Sequence, residues 1–305
     1  MPDQTEESST IVVPSFRDTF REIFEQVKER KVLLAKRIVL LAGPTTVAYF
    51  LLLAVFSYVL VTANLTGRGE IISTENFTLI YVMCAAIVST VVYYITVSSI
   101  FFLEKIIWVD SRYDKRTLDP EESWRTAKKL FWPSQKIRIR LFATYHLPAI
   151  LIAAILVYVS ILLSEFFDDA SGGNFLAGVN ITISAGLVVY FYALKVKFRF
   201  LWFIFLDLYG KDGYAFARML EEMKFLNRID AKKVRSRVLV TQLLSEFSTA
   251  RNSGVGAGSL AIQSGRAIKN EPLRQIANFA KIIIFHLLYR HVRKLAYNNT
   301  QAVNT

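Results

Sequence analysis

Cysteine, histidine and charge are all scarce in this chain of 305 residues. One cysteine, Cys84, excludes a disulfide within the chain. Three histidines, His146, His286 and His291, are scattered, so no convergent metal-ligand set is readable. Charged residues make up only 20% of the chain while 53% is hydrophobic, and the mean hydropathy is +0.35. Soluble domains carry about 25% charged residues, so this balance argues against a water-soluble enzyme. Catalytic signatures are also missing: there is no nucleophile elbow, kinase set or zinc-protease helix, and no cofactor is expected. The triplet Gly254, Gly256, Gly258 has no Gly-Lys-Ser/Thr after it and reads as part of a Gly/Ser hinge, 251–259, rather than a phosphate loop.

What the chain does contain is four long stretches without Asp, Glu, Lys or Arg: Ile38 to Gly67, Asn76 to Leu103, Leu141 to Ser164 and Ala170 to Leu194. Crossing a hydrocarbon core takes roughly 20 apolar helical residues. The reading is an all-α integral membrane protein with four transmembrane helices near 38–62, 78–103, 142–163 and 177–197. Pro44 and Pro148 lie near span ends and are expected to bend them. Cys84 falls within the second span, where it is expected to be a small packing residue. The charge-free runs hold no Asp, Glu, Lys or Arg, and such residues within a span are the usual mark of a proton or ion path.

The formal charge of +12 is unevenly placed. Thirty-six of the 37 Lys and Arg residues fall in 1–37, 104–140 and beyond 194, and the two intervening loops are short and acidic. Under the positive-inside rule both termini and the loop 104–140 are cytoplasmic. The expected setting is a multi-pass protein of a bacterial cytoplasmic (inner) membrane, with an organelle membrane as the alternative. Asn-x-Thr matches at Asn64, Asn76 and Asn180 sit beside the outer loops, too close to the membrane for ready glycosylation.

By composition the chain divides into a cytoplasmic amphipathic segment 1–37, a membrane domain 38–212 with the basic loop 104–140, and a basic helical region 213–305. Ser15 to Asp18 forms a capping box, and Phe16, Phe20, Ile23, Phe24 and Val27 follow at helical spacing. This helix is expected to lie flat in the inner-leaflet interface. A second amphipathic helix starts at Asp119-Pro120 and is expected to stop at Pro133. The fourth span is expected to continue through Lys195, Lys197 and Arg199 into Asp207, with Lys195 and Arg199 on one face. The final helix, from Pro272, is expected at the interface or against the other tail helices.

An internal duplication is also readable. Ile107-Trp108-Val109-Asp110 aligns with Ile204-Phe205-Leu206-Asp207 and, with a four-residue gap, Arg125–Trp132 aligns with Arg218–Phe225. Parallel repeats of this kind are related by an axis along the membrane normal.

Candidate contacts to anionic lipid or a partner are Arg125, Lys128, Lys129, Lys136, Arg138, Arg140, Lys195, Lys197, Arg199 and the cluster Lys232, Lys233, Arg235, Arg237. Trp108, Trp124, Trp132 and Trp202 are candidate interfacial aromatics. The function expected is that of a membrane scaffold or accessory subunit, not an enzyme. Its basic face would engage an anionic leaflet, other membrane or cytoplasmic subunits, or a second copy; no RNA-binding signature is present. The alternatives are a channel or permease-like module lined by Ser and Thr, and a membrane-embedded lipid-modifying enzyme.

Overall fold

The computed structural model describes residues 15–65, 74–114, 119–166, 169–209, 216–229 and 260–303. These are almost wholly helical, with no strand among them. In chain order they form α1 (Phe16–Leu65), α2 (Thr74–Tyr113), α3 (Pro120–Leu141), a π-helical turn (Phe142–His146), α4 (Leu147–Ser164), α5 (Asp169–Lys197), α6 (Leu201–Leu208), α7 (Phe216–Ile229) and α8 (Leu260–Val303). Four stretches are long and apolar enough to cross a membrane: Arg17–Val55, Tyr81–Tyr113, Pro120–Ser164 and Gly173–Leu208. The outer surface of these helices is rich in exposed Val, Ile, Leu, Phe and Tyr, which only lipid or another apolar partner can cover.

Contacts divide the chain into two compact units. The first comprises Val12–Lys128 and Val240–Ile284; the second comprises Met1–Ile11, Lys129–Leu239 and Phe285–Thr305. Each contains one hairpin of apolar helices, α1 with α2 in the first and α4 with α5 in the second.

In the first unit α1 is one unbroken helix of 50 residues. The amphipathic segment therefore continues the span instead of lying flat in the interface. Nothing between Phe16 and Ile38 breaks a helix, and a cross-helix ion cluster holds the segment upright. Arg112 on α2 reaches Glu22 at 3.1 Å, Glu25 at 3.9 Å and Glu29. The Ser15 cap forms as the sequence indicates, its hydroxyl oxygen accepting from the Asp18 backbone N–H at 3.1 Å.

Pro44 stays inside α1. Proline has no N–H to give the carbonyl four residues back, and that carbonyl, Leu40 O, instead accepts the Tyr93 hydroxyl of α2 at 2.7 Å. Cys84 is exposed on α2, not packed.

In the second unit α3 runs through Pro133 to Leu141, past the expected stop. Its hydrophobic seam is the reason: Leu130, Ser134, Ile137 and Leu141 recur at i+3 and i+4 and are all buried. The π turn follows immediately, with the Leu147 N–H bonding Phe142 O. Pro148 comes next and cannot supply the following bond, so the ladder changes register just ahead of it. Tyr145 O, within that turn, accepts the Tyr190 hydroxyl of α5 at 2.9 Å.

The fourth apolar stretch runs on past Asp207 to Leu208, as the sequence leads one to expect, but it is not one unbroken helix. α5 ends at Lys197 and a turn over 198–200 separates it from α6. That turn puts Arg199 and Phe200 in the buried set, with the Phe200 ring 5.7 Å from Tyr289. α8 also departs from expectation. Its Phe279 packs on Trp108 of α2, and its His286 and Tyr289 pack on Phe203 of α6.

We expect Tyr93→Phe and Tyr190→Phe each to cost about 1 kcal/mol, the usual net worth of one hydrogen bond. Thermal melts of the full chain in detergent would register this as a small, similar loss for both.

Candidate functional site

Each hairpin carries a concentration of charge where its helices leave the apolar stretch, and the two are built differently. In the first unit Arg37, Glu104 and Lys105, at the inner span ends, face inward. Arg37, the residue just before the first charge-free run, meets Glu104, the residue just after the second. Their contact is bidentate: Nε donates to one carboxylate oxygen at 3.0 Å and Nη2 to the other at 3.0 Å. Antiparallel pairing of α1 and α2 brings these two span ends to one level.

Glu104 is fully buried, and the Ser123 hydroxyl lies 3.5 Å from it. The Trp108 indole N–H in turn donates to the Ser123 oxygen at 2.8 Å. Trp108 itself is 0% exposed. The rings of Phe101 and Phe279 lie 6.2 Å away on an edge-to-face pattern, and the Arg30 guanidinium lies 5.2 Å from its centre. Lys105, also buried, donates to Gln275 Oε1 of α8 at 2.6 Å. These groups form a largely buried lock of hydrogen bonds, ion pairs and ring contacts joining α1, α2, α3 and α8.

In the second unit the charges face outward. Lys129, Lys136 and Arg140 lie along the exposed side of α3 with Trp132 and Ile139 among them. Trp132 is 70% exposed, although its indole touches Phe131. From α5, Lys195 and Lys197 are exposed beside this end of the hairpin. The Lys197 ammonium lies 5.0 Å from the Tyr145 ring, and the Arg140 guanidinium lies 5.9 Å from Phe216. No Asp or Glu occurs between Glu122 and Glu165, or between Asp169 and Asp207. The result is an exposed collar of bases and aromatics where the helices enter the apolar layer, the composition suited to phosphate headgroups.

The other sequence-predicted residues are placed as follows. Arg138 is half-buried, with its guanidinium 5.2 Å over Trp202. Arg199 is buried, donates to Val196 O at 3.1 Å and lies 4.8 Å from the Phe200 ring, so it does not share the exposed face of Lys195. In the first unit Arg125 is exposed and pairs with Glu121 at 3.3 Å. Lys128 is exposed, 5.7 Å from Trp124, and Arg37 covers that same indole at 4.0 Å.

The four tryptophans differ in burial, and only Trp108 is withdrawn from any interfacial role by full burial. Trp108 is core, and Trp124 and Trp202 are half-buried beneath cations; Trp132 alone stands exposed. Lys232, Lys233, Arg235, Arg237 and the hinge 251–259 lie outside the described residues.

A half-buried acid also governs the end of the second unit's α6. Asp207 accepts from the Tyr289 hydroxyl and from Arg293, both on α8. Burial, followed by the neighbouring Asp207, pushes the Tyr289 phenol well above its ordinary range, so it remains a neutral donor.

The class these observations define is an all-α protein with four membrane-spanning candidates and an exposed basic-aromatic collar. No family model, curated protein or solved structure matches the chain.

Proposed function

We propose that the chain is a non-enzymatic multi-pass membrane scaffold whose second unit grips anionic lipid headgroups. The observation that carries this reading is the contrast between the two hairpin ends. At the first hairpin end Arg37 pairs with Glu104, and Arg112 with Glu22, Glu25 and Glu29. In the second unit Lys129, Lys136, Arg140, Lys195 and Lys197 are presented outward with Trp132. Each such base within a Debye length of an anionic surface contributes about 1 kcal/mol.

Both termini and the loop 104–140 lie on the cytoplasmic side in this reading, because 36 of 37 bases fall there. A bacterial inner membrane supplies the required anionic leaflet. The two hairpins are copies of one ancestral unit. In support, Tyr93 and Tyr190, Trp108 and Phe205, and Asp110 and Asp207 are each 97 residues apart. Each tyrosine also caps a carbonyl just upstream of a proline in the preceding helix.

A thermal-shift titration of the full chain with phosphatidylglycerol or phosphatidylcholine tests the proposal, since a ligand that binds the folded state raises its melting point. Phosphatidylglycerol is expected to stabilise the wild type more than phosphatidylcholine. Combining K136A, R140A, K195A and K197A should remove most of that difference, whereas R125A/K128A should not. Equal stabilisation by both lipids would sink the proposal.

A further inference from the structure

The segment of α1 ahead of the first span sorts its own charges. Glu22, Glu25 and Glu29 lie on the side that meets Arg112. On another side Arg17, Phe20, Phe24, Lys28, Lys31 and Ala35 recur at i+3 and i+4, so they form a single stripe. All six are exposed; Phe20 is 66% and Phe24 70% accessible. The stripe contains three bases, two phenylalanines and no acid. From Arg17 to Lys31 it extends about 21 Å at 1.5 Å per residue.

We infer that this stripe is a docking face for an acidic amphipathic helix of a partner protein. It rests on the scaffold reading above and names the class of partner. Adjacent phenylalanines on one helix accept apolar anchors at i, i+3 and i+4, the usual helix-against-helix mode. Arg17 at one end and Lys28 with Lys31 at the other sit where flanking carboxylates of such a helix would fall, and complementary charge sets register and orientation.

Two other occupants fit less well. Because α1 is unbroken to Leu65, Phe20 lies about 27 Å along the helix axis from the start of the span at Ile38. The headgroup layer adds only roughly 5–8 Å on each side of the hydrocarbon core, so Phe20 and Phe24, the apolar centre of the stripe, stand beyond it, with Lys31 and Ala35 nearest the bilayer. A second copy of the chain would set Arg17, Lys28 and Lys31 against their own equivalents, which repel.

The test uses the full chain in nanodiscs and a fluorescent amphipathic helix of leucine and glutamate as probe, with leucine–glutamine and leucine–lysine helices as controls. A photoreactive residue at position 24 reports what touches the stripe. The glutamate helix is expected to bind, to weaken about tenfold with F20A/F24A and about tenfold with K28E/K31E, and to be labelled by position 24. The collar variant K136A/R140A/K195A/K197A should leave this binding unchanged while removing lipid selectivity, which separates the two proposals. Equal binding of the glutamine helix, or insensitivity to K28E/K31E, would overturn the inference. So would position 24 labelling lipid, its own chain or a second copy in preference to the probe.

Discussion

Replacing Glu104 by alanine is expected to destabilise the first unit by about 3–5 kcal/mol, the typical result of breaking a buried ion pair by removing one partner. The Glu104 side chain is 0% exposed and Arg37 17%. Both Glu104 oxygens accept from the Arg37 guanidinium. Without the carboxylate, Arg37 keeps its stacking on Trp124 at 4.0 Å, worth about 1–2 kcal/mol in a partly desolvated setting. The guanidinium must then find water or stay buried and uncompensated.

A second variant separates the pair from the packing around it. Arg37→Met with Glu104→Met removes both charges and keeps the volume, and such replacements are often neutral or stabilising. The double variant is therefore expected to melt well above Glu104→Ala. Helical content by circular dichroism and melting in detergent measure both. A Glu104→Ala protein as stable as wild type would show that the pair is not part of what holds α1 to α2.

The second large effect is expected at Trp108. Truncating a fully buried tryptophan to alanine costs about 3–5 kcal/mol through lost burial and the cavity left behind. Here the cavity would open among Phe101, Arg30 and Phe279. Phe279 belongs to α8, so the loss should also loosen that helix from the first unit. Limited proteolysis is expected to cut α8 within 260–284 much faster in Trp108→Ala than in wild type. Trp108→Phe keeps most of the ring and loses the indole bond to Ser123 at 2.8 Å, so its cost should be about 1 kcal/mol. Equal sensitivity of the two variants would mean that the hydrogen bond, and not the packing, is what Trp108 contributes.

The apolar architecture was legible in the sequence because a bilayer imposes a simple requirement. Four runs free of charge stand out against any composition, and the helices containing them are all present. Partnership was less legible. The signal for the Arg37–Glu104 lock was available, since these are the charged residues that border the first two runs, and an antiparallel hairpin places such borders together. Counting charges by segment concealed it, because a segment total does not distinguish a paired base from a presented one.

The same averaging made the 1–37 region look mixed in sign. In three dimensions Glu22, Glu25 and Glu29 meet Arg112, and the stripe of bases stays exposed with Phe20 and Phe24. The burial of Trp108 is hard to read from the sequence for a related reason. A tryptophan near a span end suits the interface and the core equally, and only Phe279, 171 residues later in the chain, decides between them. Likewise, no local propensity foretold the break at 198–200, which follows from burial of Arg199 and Phe200.

The central claim is that the second hairpin end, and not the first, is selective for anionic lipid. Native mass spectrometry of the full chain, released from mixed phosphatidylglycerol and phosphatidylcholine nanodiscs, measures this most directly. Wild type should retain phosphatidylglycerol in excess, the K136A/R140A/K195A/K197A variant should retain the two lipids in proportion to the mixture, and R125A/K128A should behave as wild type. Retention of lipid in proportion by the wild type, or an excess that survives loss of the four bases, would contradict the account.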